Sequence, residues 1–471
     1  MDKNEFFVSP YGENREFVKQ VMDRIAALII RHFAHSCKRS PLPAYGEVGR
    51  NFFEFPREAN SVESVLSDLE MVFEKSMNHV TPNYMGHMDS MPTLMSIVGE
   101  AAVAAINNNM LGVEMSPVFT RMEREVLSDF STLFGLGSQG GGIMTSGGSL
   151  ANLQAMIVAR NKMLESKDGD VTNAPARPIF FASELAHTSI EKAMMIMGLG
   201  KKSLEKIPVD SQGKMLVNNL EQSITQKIKL GSKPICVIAT MGTTTTGSMD
   251  RIEEIAAVCR KHKLWLHADA IYGGAAILSN KHKHRLAGIE LADSIAFNPQ
   301  KWMLIAKTCS LLMLKKFDEH ISYFKIPMPY TSSGEGIYNL GEISIQGSRS
   351  AEVLKLWLSL KHLGRKNYEE LIDRSYEFTS LFEACIDDLD FLEKYATPET
   401  NNILFRVREI DSGTKTVELK QAMLEEYNTY FGLQMVQNKK WLKFMPLNPF
   451  INKPLIEQTL RNLKVCFGKI S

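Results

Sequence analysis

Long apolar stretches are missing from this chain. No run of 18 apolar residues occurs, and the best candidate, "SIVGEAAVAAI", is short and broken by Glu100, so no segment reads as a membrane span. An excess of one charge is missing too. Lys and Arg total 54 against 53 Asp and Glu, which gives no reason to expect nucleic acid or an anionic membrane as a partner. Cysteine is sparse: Cys37, Cys236, Cys259, Cys309, Cys385 and Cys466 are scattered, with no CxxC pair. That argues against a zinc site, and for reduced thiols and a cytoplasmic protein. The polar, charged N-terminus, "MDKNEFFVSPYGENREF", does not read as a signal peptide. There is no internal repeat and no low-complexity tract. What remains is ordinary globular composition, 44% hydrophobic and 23% charged over 471 residues, with material for a large core and a length that suggests two or three domains.

The first part of the chain is helical in pattern. Phe17, Val21, Ile25, Leu28 and Ile29 recur at helical steps between residues 14 and 36. "NSVESVLSDLEMVFEKSM" predicts a second amphipathic helix capped by Asn60 or Ser61. Thr93 to Asn109 and "RMEREVLSDFSTLFGL" read as buried helices. From Gly140 to Leu314 the texture changes. "PIFFAS", "KPICVIAT", "LWLHADA", "DSIAFN" and "CSLLML" are short apolar runs separated by helical patterns, as expected of βαβ units around a parallel sheet. "RSAEVLKLWLSLKHLG" predicts a long helix ending at Gly364. Beyond about Arg374 the order is helix, strand ("NILFRVRE"), helix, strand ("WLKFMPLNP"), helix. The reading is therefore an α/β protein in three parts: a helical segment at 1–59, a large domain at 60–373, and a small α+β domain at 374–471.

Open α/β sheets bind ligands at the carboxyl ends of their strands, so the residues that follow each strand matter most. "GGIM" is followed by "TSGGSLANLQA", whose Gly147, Gly148 and Ser149 would leave backbone N–H groups free for an anion at a helix start. "PIFFAS" is followed by His187, "CVIAT" by the loop "MGTTTTGSMD", "LWLHA" by Asp269, and "DSIAFN" by Lys301 in "NPQKWM". Singly, each has an ordinary reading: a turn, a helix cap, a solvated loop, a surface lysine. Together they place a phosphate cradle, a flat ring, an acid and an amine at successive strand ends. Pyridoxal 5′-phosphate (PLP) requires that set: a lysine to bond its aldehyde, an acid at its ring nitrogen and an anion site. A lysine between two core strands is also one whose pKa burial can lower.

With "TSGGSLANL", "AHTSIEKA", "ATMGTTTTGSMD", "LHADAIYGG" and "FNPQKWM" in this order, the chain resembles the group II PLP-dependent amino-acid decarboxylases, the family of the aromatic amino-acid, glutamate, histidine and diaminobutyrate decarboxylases. The resemblance covers residues 60 to 365 and more loosely both ends. It implies a fold type I, aspartate-aminotransferase-like large domain, decarboxylation of an L-amino acid to an amine, and a homodimer with active sites at the subunit interface. It also implies roles. Lys301 carries the cofactor and Asp269 faces its ring nitrogen. His187 lies on the ring face, and Thr244 lies near the ring hydroxyl. Gly147, Gly148, Ser149, Asn298 and Gln300 hold the phosphate. His87, in "TPNYMGHMDSMPT", falls in the segment that lines the substrate pocket. Tyr330 stands where the family keeps a proton-donating tyrosine on a mobile loop. Arg349 anchors that loop's end and is counted with the substrate-binding residues, although a helix-capping role reads equally well.

Two positions depart from the family pattern. Gln300 replaces a histidine before the lysine, which keeps a hydrogen-bond donor and loses a charge. Ile271 replaces a small alanine beside the ring. On the same scaffold, three other outcomes remain open: an oxidative deaminase or aldehyde synthase, against which Tyr330 argues; a carbon–carbon lyase; and an inactive regulatory protein. "NPxKW" leans to the aromatic branch and "GHM" to the diaminobutyrate and aspartate branches, so the substrate stays open.

Overall fold

The computed structural model describes residues 3–43, 49–172, 174, 176–329, 338–408 and 413–470. Its centre is a seven-stranded sheet of β1 (Gly141–Thr145), β2 (Pro178–Ser183), β3 (Leu204–Ile207), β4 (Lys233–Thr240), β5 (Trp265–Asp269), β6 (Ser294–Phe297) and β7 (Ser310–Leu314). The spatial order is β1-β7-β6-β5-β4-β2-β3. Only β7 runs against its neighbours, antiparallel to β1 and β6; the pairs β6–β5, β5–β4, β4–β2 and β2–β3 are parallel. Every residue of β2, β5, β6 and β7 is buried. A sheet covered on both faces demands this, and it is why these strands read as continuous apolar runs.

The second sheet is antiparallel and holds β8 (Leu392–Lys394), β9 (Ile403–Val407), β10 (Gly432–Val436) and β11 (Lys439–Phe444) in the order β10-β11-β9-β8. It packs under the helices Thr414–Tyr427 and Lys453–Ile470 around its own core, with Phe382, Phe405, Phe431 and Phe444 at the centre. The pattern reading omitted β3, β8 and β10. All three are edge strands, and β10 alternates exposed and buried positions without an apolar run.

One helical expectation needs correction. The segment Thr93 to Asn109 is not a buried helix: Leu94–Ile106 buries only Ser96, Gly99 and Val103. Its small residues make the contact, since a Cβ on Gly99 would come 2.6 Å from the Lys355 Cα, and Leu94, Val98 and Ile106 stay exposed. The helix that begins at Val353 ends at Gly364 (φ 68°, ψ 165°), as the sequence predicts, and a second helix follows at once across a kink and runs to Asp387.

Candidate active site

The carboxyl ends of β4, β5 and β6, with the turns that follow β1 and β2, surround a cavity of about 370 Å3. It is lined by Gly147, Gly148, Ser149, His187, Thr244, Asp269, Asn298, Gln300 and Lys301. The nine come from five separate segments of the sequence. The parallel sheet gathers them because its strands end on one side.

Lys301 stands just past β6, with its Nζ 3.8 Å from the Met88 sulfur and 5.9 Å from the centre of the Tyr272 ring. Burial lowers its pKa, with Asp269 and Asp89 pulling the other way. Asp269, the last residue of β5, is buried. Its Oδ2 accepts 3.0 Å from Asn152 Nδ2 and its Oδ1 accepts 3.3 Å from the Ile271 N–H. Among the described residues neither Lys301 nor Asp269 forms an ion pair. A buried carboxylate without a cation is costly. A protonated ring nitrogen would supply the cation, and an aldehyde would take the amine, so the residues present fit PLP.

The far wall fits the phosphate. Gly147 (φ 152°) leads into the helix Gly148–Met163 without a side-chain cap, which leaves the helix start open to an anion. A Cβ on Gly148 would sit 2.4 Å from the Ile271 Cδ1. The larger Ile271 therefore packs into room that the glycine leaves. Gln300 Oε1 accepts 2.6 Å from the Cys309 N–H, so its carboxamide is oriented and its Nε2 remains a donor. Asn298 is fixed by the Ser310 hydroxyl, which donates to its Oδ1. His187 caps the helix Thr188–Ile196 by accepting from Ser189 N at 3.2 Å, and burial lowers its pKa.

Three expected residues are not in this lining. His87 stands behind it, with Nε2 2.8 Å from the Tyr430 hydroxyl; burial and then the Lys443 charge lower its pKa. Arg349 is brought to a different place. Its guanidinium is held by both oxygens of buried Glu123, at 2.7 and 2.6 Å, and Glu123 Oε1 also accepts 2.9 Å from Met144 N. The arginine fastens the helix Pro117–Leu133 rather than facing the cavity. Tyr330 lies outside the described residues.

The pattern reading missed Lys443. It sits on β11, is 1% exposed, and donates 2.7 Å to the Thr244 carbonyl. Burial, followed by the Lys301 charge, pushes its pKa down to about 7. Around it stand Tyr430, stacked on Tyr84 at 5.2 Å, Lys420 at 5.0 Å from the Tyr430 ring centre, and the ion pair of Asp89 with Lys307. A signal existed: "WLKFMP" puts a lysine within an apolar run, as "NPQKWM" does.

Residues 50–408 match the model of the pyridoxal-dependent decarboxylase conserved domain. The chain is similar to a Drosophila melanogaster glutamate decarboxylase, 30% identical over 86% of this chain and 78% of that protein. It is also similar to the human acidic amino acid decarboxylase GADL1, 32% identical over 77% of this chain and 72% of that protein. Among solved structures it resembles mouse CSAD in apo form, with a TM-score of 0.89 and 26% identity, covering 96% of this chain and 99% of that one.

Proposed function

We propose that this chain, which belongs to the pyridoxal-dependent decarboxylase family, removes the α-carboxylate of an amino acid whose side chain carries a second acid. It is a PLP-dependent amino-acid decarboxylase; the proposal concerns the substrate, the residue roles and the assembly. The observation that carries it is Lys443. A buried ammonium with one hydrogen bond among the described residues, to Thr244, keeps two N–H donors for a carboxylate. His87, with its Tyr430 partner, is the polar group next to it. The names of the curated relatives, glutamate and acidic amino acid decarboxylases, point the same way.

The chemistry supplied by bound PLP is an aldehyde for amines and a ring that accepts the electron pair of the broken Cα–carboxylate bond. The chain's residues do the rest. Lys301, its amine favoured as neutral by burial, provides the nucleophile. Asp269 would hold a proton at the ring nitrogen. Gly147, Gly148, Ser149, Asn298 and Gln300 would receive the phosphate, and Thr244 and His187 would hold the ring. Tyr330 returns a proton to the carbon that has lost CO2. We assign three parts, 1–59, 60–373 and 374–471; the kinked helix Val353–Asp387 crosses the last boundary, with Ile372 in one core and Phe378 in the other.

The proposed unit is a homodimer in the cytoplasm. The helix Arg15–Ala34 buries none of its residues, and Phe55, Leu94, Val98 and Ile106 are all exposed. Apolar surface of this extent needs a cover, and a second copy is the occupant we assign. No described helix is long and apolar enough to cross a membrane.

Two measurements test this reading. Borohydride reduction followed by peptide mapping should find the pyridoxyl group on Lys301; a label on another lysine rejects the site. CO2 release should then be compared for acidic, aromatic and diamino substrates. A preference for the aromatic or diamino group rejects the acidic assignment and leaves the site standing.

A further inference from the structure

A second set of buried polar groups lies behind the cavity, on the far side of Asp269. Asn152, in the second turn of the helix Gly148–Met163, is fully buried. Its Nδ2 donates 3.0 Å to Asp269 Oδ2 and 3.2 Å to Ser189 Oγ, while its Oδ1 lies 3.0 Å from His267 Nε2. His267 is fully buried as well, and its Nδ1 lies 2.8 Å from Ser294 Oγ, which also accepts 2.9 Å from Trp265 Nε1. On the other branch, Ser189 Oγ lies 2.9 Å from His187 Nδ1.

The direction of every hydrogen bond in this set follows from its ends. An indole N–H only donates and a carboxylate only accepts. Asp269 therefore requires the Asn152 amide nitrogen, which turns the Asn152 oxygen to His267. That oxygen requires a proton on His267 Nε2. His267 Nδ1 is then bare and accepts from the Ser294 hydroxyl, whose oxygen in turn accepts from Trp265. The second Asn152 N–H goes to Ser189 Oγ, so the Ser189 proton points to His187 Nδ1. His187 Nδ1 also accepts from the Ser189 backbone N–H, so neutral His187 carries its proton on Nε2. Burial lowers the His267 pKa to about 4, which leaves one proton on that ring at neutral pH, as this pattern requires.

We propose that Asn152 is a positioning residue: a single carboxamide, itself oriented by His267, that fixes the Asp269 carboxylate and, through Ser189, the tautomer of His187. Two residues, one assigned to the ring nitrogen of the cofactor and one to its ring face, are thereby set by one buried group. None of the charge here is exposed to water that could substitute for a lost partner. A reversed carboxamide would place its oxygen against the Asp269 carboxylate, and repulsion in a buried site is strong.

The inference rests on the placement of the cofactor at Lys301, and the test separates the two. His267→Gln retains an amide N–H that can donate to Asn152; His267→Leu removes it at similar bulk. Both positions lie outside the cavity lining. The expected result is that His267→Gln keeps the PLP dissociation constant and kcat within about threefold of the parent. His267→Leu should weaken PLP binding tenfold or more and lower kcat tenfold or more, with the substrate KM little changed. Asn152→Leu should match His267→Leu or exceed it; if it does not fold, the two His267 variants decide alone. Histidine 15N shifts of the holoenzyme should show His187 protonated at Nε2 in the parent and a mixed tautomer in Ser189→Ala. The positioning role is overturned if the Gln and Leu variants behave alike, or if His187 carries its proton on Nδ1. Borohydride labelling of the same variants reports the cofactor site separately: a label off Lys301 rejects the site itself.

Discussion

Lys443 reaches from the small antiparallel sheet to the loop after β4, where its ammonium donates 2.7 Å to the carbonyl oxygen of Thr244. One bond thus joins the C-terminal part of the chain to the rim of the cofactor cavity. A buried hydrogen bond from a charged donor contributes about 1.5–3 kcal/mol. Lys443→Met should therefore raise the KM for an acidic substrate about tenfold or more, while Lys443→Arg stays closer to the parent. Equal KM values in the parent and the Met variant would remove the lysine from substrate binding.

The same lysine gives two pH dependences. With a pKa of about 7 in the folded chain, it is charged below neutrality and neutral above, so binding of a dicarboxylate inhibitor should weaken as pH rises through 7. Stability runs differently. The folded-state pKa lies below the ordinary value of 10.5, so the unfolded chain takes up this proton more readily between those two values. The cost of burying the lysine grows as pH falls from 10.5 to about 7 and is constant below. The gain in Tm of Lys443→Met over the parent should therefore be larger at pH 7 than at pH 10. A gain that is the same at both would contradict the low pKa.

Asp269→Asn should fold and lose most of its activity. The amide keeps the shape of the carboxylate and cannot hold the ring proton, and each tenfold loss in kcat corresponds to about 1.4 kcal/mol of barrier. We expect at least a hundredfold loss. A rate within threefold of the parent would make the acid structural only.

Leu94→Glu combined with Val98→Asp should leave the fold intact and yield a monomer in sedimentation, because both side chains are exposed on a helix whose inner contact is made by Ser96, Gly99 and Val103. A variant that sediments as the parent does would move the subunit interface elsewhere.

The primary structure by itself marked the candidate cofactor site as a set of strand ends. A parallel sheet buried on both faces needs continuous apolar strands, so "PIFFAS", "CVIAT", "LWLHA" and "SIAF" mark themselves, and the residue after each is in view. His187, Asp269 and Lys301 were legible for that reason. Edge strands such as β10 were not, because half of their side chains meet water. Nor was the place of Arg349, since nothing local says that Glu123, more than 200 positions away, would enclose it. Lys443 and Asn152 were decided by tertiary structure alone. One lies on a strand of another sheet, where the apolar run around it marks burial but not what it faces, and the other lies inside a helix, where the motif does not say what its side chain meets. Their roles depend on distances across the fold, where burial removes competing water and makes one hydrogen-bond partner decisive.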